Sequence, residues 1–315
     1  MRKYRVLSLD GGGIRGIISV VLLQRLCQEP GMKKWLNRVQ LVAGTSTGGL
    51  IALGIAKGVP LARLRDLYVH DGPEVFHDTA FDDAKDLGKL FGADYSVKGL
   101  RKHLKRILGS RTTLGELENC HVLVTAFDLD NSDDPLRKAG SARTWKPKVF
   151  HNYKGKNSDV DVVAWKAGLY TCAAPTYFPS VDGYIDGGVY APNPSMCALA
   201  QTQDRRYQPH PKLDEVRLLS LGTGTTLQWI AGASKDWGYA QWGPRLLPLL
   251  LDGTTGIADY QCQQMLRDRY HRLAPSFPPD KKIDMDAVDQ IQWMVDFATK
   301  QVDLTETVDW IKTYW

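Results

Sequence analysis

The chain has 315 residues, 43% of them hydrophobic and 24% charged, with a formal net charge of +5. That length and apolar content support a sizeable core, in one large α/β domain with additions or in two smaller units. The positive bias is mild and spread without a dense basic block, so nucleic acid is not an expected partner; it suits docking on an anionic membrane surface and equally an ordinary solvated surface.

Five cysteines, Cys27, Cys120, Cys172, Cys197 and Cys262, are scattered without a C-x-x-C pair. An odd, dispersed set points to a reducing intracellular compartment. No apolar run approaches the roughly 18–20 residues of a spanning helix. The opening MRKYRVLSLDGGG reads as a first strand and not as a signal peptide. The expected localisation is cytoplasmic, with peripheral contact at a membrane surface left open.

In chain order, residues 4–9 form a buried strand, and the loop Asp10-Gly11-Gly12-Gly13-Ile14-Arg15-Gly16 opens into an apolar-striped helix over 17–28. A second strand is expected at 39–43. It runs through Ser46 into a helix that closes at Gly58, and Pro60 starts another over 61–70. Strand, helix, strand, helix is the pattern of a parallel sheet with crossover helices. From 71 to about 117 the chain turns polar and glycine-dotted, a cap-like excursion with one helix at 97–108 and a place for a lid. Strands resume at 121–127 and near 148–151, followed by a short helix at 165–172 and a short strand closed by Asp186-Gly187-Gly188. A helix at 193–203 and a strand at 216–221 complete at least five or six strands of one sheet. Beyond lie a tryptophan-rich loop region over 229–254 and two or three helices, one at 286–301. With no repeat and no low-complexity linker, one continuous domain over 1–315 is expected, its motif-bearing core at about 4–224 and a helical extension over 225–315.

Chemistry concentrates first at Gly44-Thr45-Ser46-Thr47-Gly48. A serine bracketed by glycines, after a strand and before a helix, is what a tight turn needs to push one hydroxyl into the open. The helix N-terminus beside it favours developing negative charge. The loop at 10–16 also contains Gly11-x-Gly13-x-x-Gly16, the spacing of a dinucleotide fingerprint. That fold, however, expects an acidic residue at the end of the second strand, where this chain has Ala43-Gly44-Thr45-Ser46. The alternative is an oxyanion hole built from glycine N–H groups, two strand ends of one sheet bringing loops 10–16 and 44–48 together. Arg15 either steadies that loop, contacts an anionic head group or makes a structural salt bridge.

A serine hydroxyl needs a base. Seven histidines are present, His70, His77, His103, His121, His151, His210 and His271, and none has a convincing setting. An α/β-hydrolase triad is disfavoured, because only His210 and His271 follow Asp186 and only one strand precedes the one carrying Ser46. Asp186, at a strand end before two glycines, is the better base, provided it is partly desolvated and close to the hydroxyl. The same Asp-Gly-Gly also reads as a plain turn with Asp186 bonding its own backbone.

Together DGGGIRG at 10–16, GTSTG at 44–48 and DGG at 186–188, with AAPTYFP at 173–179, resemble the patatin-like phospholipases over about residues 4–224. The resemblance implies a three-layer α/β/α sandwich with a mainly parallel sheet of about six strands. It further implies a Ser-Asp dyad without histidine: Ser46 as nucleophile, Asp186 as base, and Gly11, Gly12, Gly13 and Arg15 in the oxyanion element. Asp10, Gly16, Gly44, Gly48, Gly187 and Gly188 support these motifs. The family cleaves fatty-acyl esters of phospholipids and other glycerolipids and generally needs no metal or other cofactor. An acyltransferase using the same serine, a non-catalytic binding or storage role, and a bacterial phospholipase effector switched on by a small nucleotide signal are the other readings.

Overall fold

Strand β1 (Tyr4–Leu9) sets the architecture, because its side chains are buried on both faces. Leu7 and Leu9 join one apolar cluster and Val6 joins another. Alternate residues of a strand point to opposite sides, so such a run requires cover above and below the sheet. The structure is a computed structural model and describes residues 2–76, 93–133, 142–155, 158–232 and 236–315.

After β1 come α1 (Gly16–Gln28), β2 (Leu41–Thr45), α2 (Thr47–Lys57), α3 (Leu61–Asp66), a π turn Leu67–Asp71, α4 (Gly72–Val75) and α5 (Val97–Leu108). The chain continues through β3 (His121–Asp128), β4 (Lys146–His151), α6 (Ala164–Cys172), β5 (Tyr184–Asp186), α7 (Ser195–Thr202) and β6 (Val216–Leu221). It ends with α8 (Tyr239–Leu266), β7 (Tyr270–Leu273), α9 (Ile291–Lys300) and α10 (Thr305–Tyr314). The sheet has seven strands in the order β4-β3-β2-β1-β6-β7, with β5 on β3. Strands β1, β2, β3, β6 and β7 run parallel, while β4 and β5 run antiparallel to β3. Side chains of α1, α2, α5, α6 and α9 fill the larger apolar layer, and those of α7 and the end of α8 fill the other. This is the expected α/β/α arrangement.

One edge of β3 is shared between two strands. β4 pairs with β3 from Leu123 to Asp128 and occupies one side throughout. On the other side β2 pairs as far as Thr45↔Thr125, and β5 takes over from Ala126↔Asp186. The chain leaves β2 at Ser46, and β5 approaches the vacated edge from the opposite direction. Its last residue, Asp186, therefore arrives where Ser46 departs.

The C-terminal third departs from the helical expectation by adding β7 to the sheet. The stretch 229–254, expected as loop, contains the first half of the 28-residue helix α8. Its prolines and glycines signal a break, yet Ala258, Cys262 and Leu266 are buried at i, i+4 and i+8, and packing Cys262 and Leu266 under the sheet sustains the helix. The helix expected at 61–70 becomes α3 and then the π turn, and the one expected at 286–301 starts at Ile291. Of the excursion expected over 71–117, the one expected helix is α5, the short α4 was not anticipated, and residues 77–92 lie outside the described residues.

β7 also delivers a side chain to the first loop. Arg272 Nη2 lies 2.6 Å from Asp10 Oδ2, its Nη1 is 3.3 Å from Oδ1, and Nη1 donates to Ser220 Oγ at 2.7 Å. Asp10 is buried, and Arg272 is largely so, with 13% of its side chain exposed. Burial works against the charge on Arg272, but the Asp10 carboxylate more than offsets it and holds the guanidinium protonated. Removing one partner strands a buried charge, so Arg272→Met is expected to destabilise the fold by about 3–5 kcal/mol. The double variant D10N/R272M should recover part of that loss; equal urea midpoints for wild type and Arg272→Met would refute the role of the pair.

Candidate active site

Ser46 stands between β2 and α2 with φ 54° and ψ −126°, a conformation that costs an L-residue about 1–3 kcal/mol. Several contacts hold it. Its N–H donates to the buried Thr171 Oγ1 at 2.8 Å, and its carbonyl accepts from Leu50 N at 3.1 Å. The flanking glycines allow the turn to close: a Cβ on Gly44 would overlap the Gly48 carbonyl oxygen, and one on Gly48 would overlap the Leu9 carbonyl oxygen. With those side chains absent, the ends of β1 and β2 and the start of α2 pack backbone against backbone.

Asp186 is 4% exposed and shares a cleft with Ser46. Its N–H donates to the Ala173 carbonyl at 2.9 Å, and its Oδ1 accepts from Gly188 N at 2.7 Å. The plain-turn reading of Asp-Gly-Gly and the placement beside Ser46 thus coexist. Burial raises the Asp186 pKa to about 7, against the opposing hydrogen bonds of the Ser46 hydroxyl and Gly188 N–H. A carboxylate so placed accepts a proton near neutrality far better than an exposed one.

The glycine loop is not uniformly available as a donor. Gly11 N donates to the Pro192 carbonyl at 2.9 Å, Ile14 N to Met285 O at 2.7 Å and Arg15 N to Gly12 O at 3.2 Å. Among the described residues nothing accepts from Gly12 N or Gly13 N. The Arg15 Nε reaches Gly12 O at 3.4 Å, clipping the loop from within. Burial pulls the Arg15 pKa down, opposed by the carboxylates of Asp252 on α8 and Asp284.

The cleft encloses about 80 Å3 and its walls are largely apolar, including Ile14, Tyr68, Val75, Leu100, Phe178 and Met285. No histidine among the described residues lines it. His103 bonds Glu74, His151 and His121 sit among Tyr153, Tyr207 and Asn152, His271 pairs with Thr307, His210 is near the Pro211 carbonyl, and His70 is exposed. His77 lies outside the described residues. Sequence reasoning missed Thr171, Cys172, Arg272 and Met285, which reach the site from distant parts of the chain without a local motif. Cys172 lines the cleft, but burial and then the Asp186 charge push its thiol well up, so it stays protonated. Among the described residues no three His, Cys, Asp or Glu side chains converge as a metal site.

A family model of patatin-like phospholipases matches residues 7–199, and the chain belongs to that family. It is 30% identical to a cGAMP-activated phospholipase of Pseudomonas aeruginosa, over 91% of this chain and 83% of the relative. It is 28% identical to Patatin-1-Kuras 2 of Solanum tuberosum, over 84% of this chain and 75% of that one. Among solved structures, VipD from Legionella pneumophila aligns at 13% identity with a TM-score of 0.41, covering 94% of this chain and 67% of VipD. The protein is accordingly a lipid acyl hydrolase, a carboxylic-ester hydrolase with a lipid substrate.

The buried Asp186 carboxyl carries a stability signature. With its pKa at about 7 in the fold and 3.8 as the ordinary value, the native state holds a proton that the unfolded chain has lost. Wild-type stability therefore falls as pH rises between those values and levels off above them. The decline is on the order of 4 kcal/mol at most. Asp186→Asn keeps the acceptor for Gly188 N and should escape this decline, so its melting temperature relative to wild type should climb from acid to neutral pH; parallel curves would refute a raised pKa.

Proposed function

We propose that Ser46 and Asp186 are the catalytic dyad that cleaves a fatty-acyl ester of a phospholipid or another glycerolipid through an acyl-enzyme. The observation that carries this reading is the meeting of Ser46 and the buried, near-neutral Asp186 in one apolar cleft. Asp186 takes the hydroxyl proton as Ser46 Oγ attacks the ester carbonyl. The oxyanion develops toward Gly12 N and Gly13 N and the N-terminus of α2, with Gly11 and Arg15 shaping the loop behind them. Asp186 then gives its proton to the leaving alcohol, later draws one from the water that cleaves the acyl-enzyme, and returns it to Ser46 Oγ as the fatty acid departs.

Contact with the substrate-bearing membrane is the second part of the proposal. It is supported by apolar side chains left exposed in the C-terminal third: Leu250 on α8 is 60% exposed, with Leu246 and Leu249 on the same helix, and Trp229, before that helix, is 85% exposed. The charge of Asp252 on the same helix acts on Arg15 in the glycine loop. The five free thiols fit a reducing, cytoplasmic setting. Activation by a small nucleotide signal is a second reading, favoured by the identity to the cGAMP-activated relative; it requires that cyclic dinucleotide raise the turnover of purified protein.

Lipidomic profiling of purified protein against its Ser46→Ala form tests the dyad and names the head group. Ser46→Ala and Asp186→Asn should each lower acyl release by about 10³-fold or more, with unchanged circular dichroism. For wild type, kcat/KM on a soluble ester should rise about tenfold per pH unit on the acid side and level off once Asp186 is ionised. Full activity in either variant, or a flat profile across neutrality, would sink the assignment.

A further inference from the structure

We infer that the outward face of α5 is a docking surface for an anionic lipid bilayer, placed to hold the cleft beside its substrate. The inference rests on the acyl-hydrolase reading of the cleft and adds to the apolar α8 segment a separate, basic surface on α5.

Helix α5, VKGLRKHLKRIL, carries five cations and no acid. They fall into two groups. Lys102 Nζ lies 2.7 Å from Glu74 Oε1, Arg106 bonds Asp71, and buried His103 bonds Glu74 at 2.9 Å, so this group fastens α5 to α4 and the π turn. Val75 and Leu67 of those elements wall the cleft. Lys98, Arg101 and Lys105 follow at i, i+3 and i+7, which places them on one face, and all are exposed. Among the described residues none of these makes an ion pair. Asp182, whose carboxylate feels Arg101, is already bonded to Lys166 at 3.0 Å and to Tyr170 at 2.7 Å. Lys105 Nζ sits 4.4 Å from the ring centroid of half-buried Trp165.

The opposite side of α5 is apolar. Leu100, Leu104 and Leu108 are buried, and Leu100 belongs to the cleft lining. The apolar stripe is spent on the protein core, and the basic outer stripe with its adjoining indole is the part suited to anionic head groups. One helix diameter, about 10 Å, would separate those head groups from the cleft. Charge complementarity and continuity with the lipid site both favour a bilayer over another polyanion.

The test is co-sedimentation of the full chain with vesicles of phosphatidylcholine alone and of phosphatidylcholine with phosphatidylglycerol, scored without reference to turnover. Wild type should bind the second far more tightly than the first, and added salt should weaken that binding. The variant K98Q/R101Q/K105Q should bind the anionic vesicles on the order of 100-fold more weakly while keeping its melting temperature and its cleavage of a soluble short-chain ester. K98R/K105R should bind like wild type. If the triple variant melts early, K98Q and K105Q singly must each weaken binding about five-fold. Equal binding of wild type to both vesicles, or undiminished binding by the charge variants, overturns the inference. So does duplex DNA binding that depends on these residues in a protein that binds neither vesicle. A wild type that docks but hydrolyses no lipid would count against the acyl-hydrolase reading alone.

Discussion

A strand edge can be hydrogen-bonded by only one neighbour at a time, and the site depends on how β3 divides its edge. β2 uses it up to Thr125 and β5 uses it from Ala126 onward. Backbone pairing, whose loss inside a core is costly, thereby fixes two chain segments end to end. Ser46 and Asp186 meet because of that handover. Their approach needs no long-range attraction between the side chains themselves. Thr45 and Thr125 strengthen the junction with a hydroxyl pair at 2.7 Å, and Thr45 Oγ1 also donates to the Ala191 carbonyl at 2.6 Å.

Around that junction, desolvation sets the chemistry. The same exclusion of water that lifts Asp186 toward neutrality keeps the Cys172 thiol protonated and forces Asp10 to take Arg272 as a counter-ion. The outcomes differ because the partners differ. Asp186 has a hydroxyl and one N–H to face, Asp10 has a full guanidinium, and a carboxylate meant to exchange protons must lack such a partner. Two aspartates near one end of the sheet are in this way left in different settings, one ion-paired and one held by neutral partners.

Much of this was legible in the sequence where the signal is local. The strands at 4–9 and 216–221 and the helix at 97–108 have the bounds their apolar patterns indicate. The glycine-bracketed serine identified its own turn, because the steric demand lies within five consecutive residues. What escaped was non-local. Nothing near Arg272 says that its guanidinium crosses to Asp10, and nothing near Gly11 says that its N–H is taken by Pro192. α8 escaped for a different reason: its prolines and glycines argue locally for a break, while the burial of Cys262 and Leu266 depends on a sheet assembled from elsewhere. The short strand that ends at Asp186 was legible, but its place on β3 was not, since three residues do not say which edge they join.

The Arg272–Asp10 pair separates two borders that are easily taken as one. The match to the family model stops at residue 199, before β6 and β7. The cooperative unit does not. A fragment cut at that border would retain the serine, the aspartate and the glycine loop, yet it would bury the Asp10 carboxylate without a counter-ion and leave both the other edge of β1 and the Asp10 N–H, which donates to Leu221 O at 2.9 Å, without a partner. Every motif would be present in a chain unable to hold them in register. Changes far along the chain can therefore silence the loop without approaching it, and inheritance of the motifs alone is a poor guide to which relatives keep a working site.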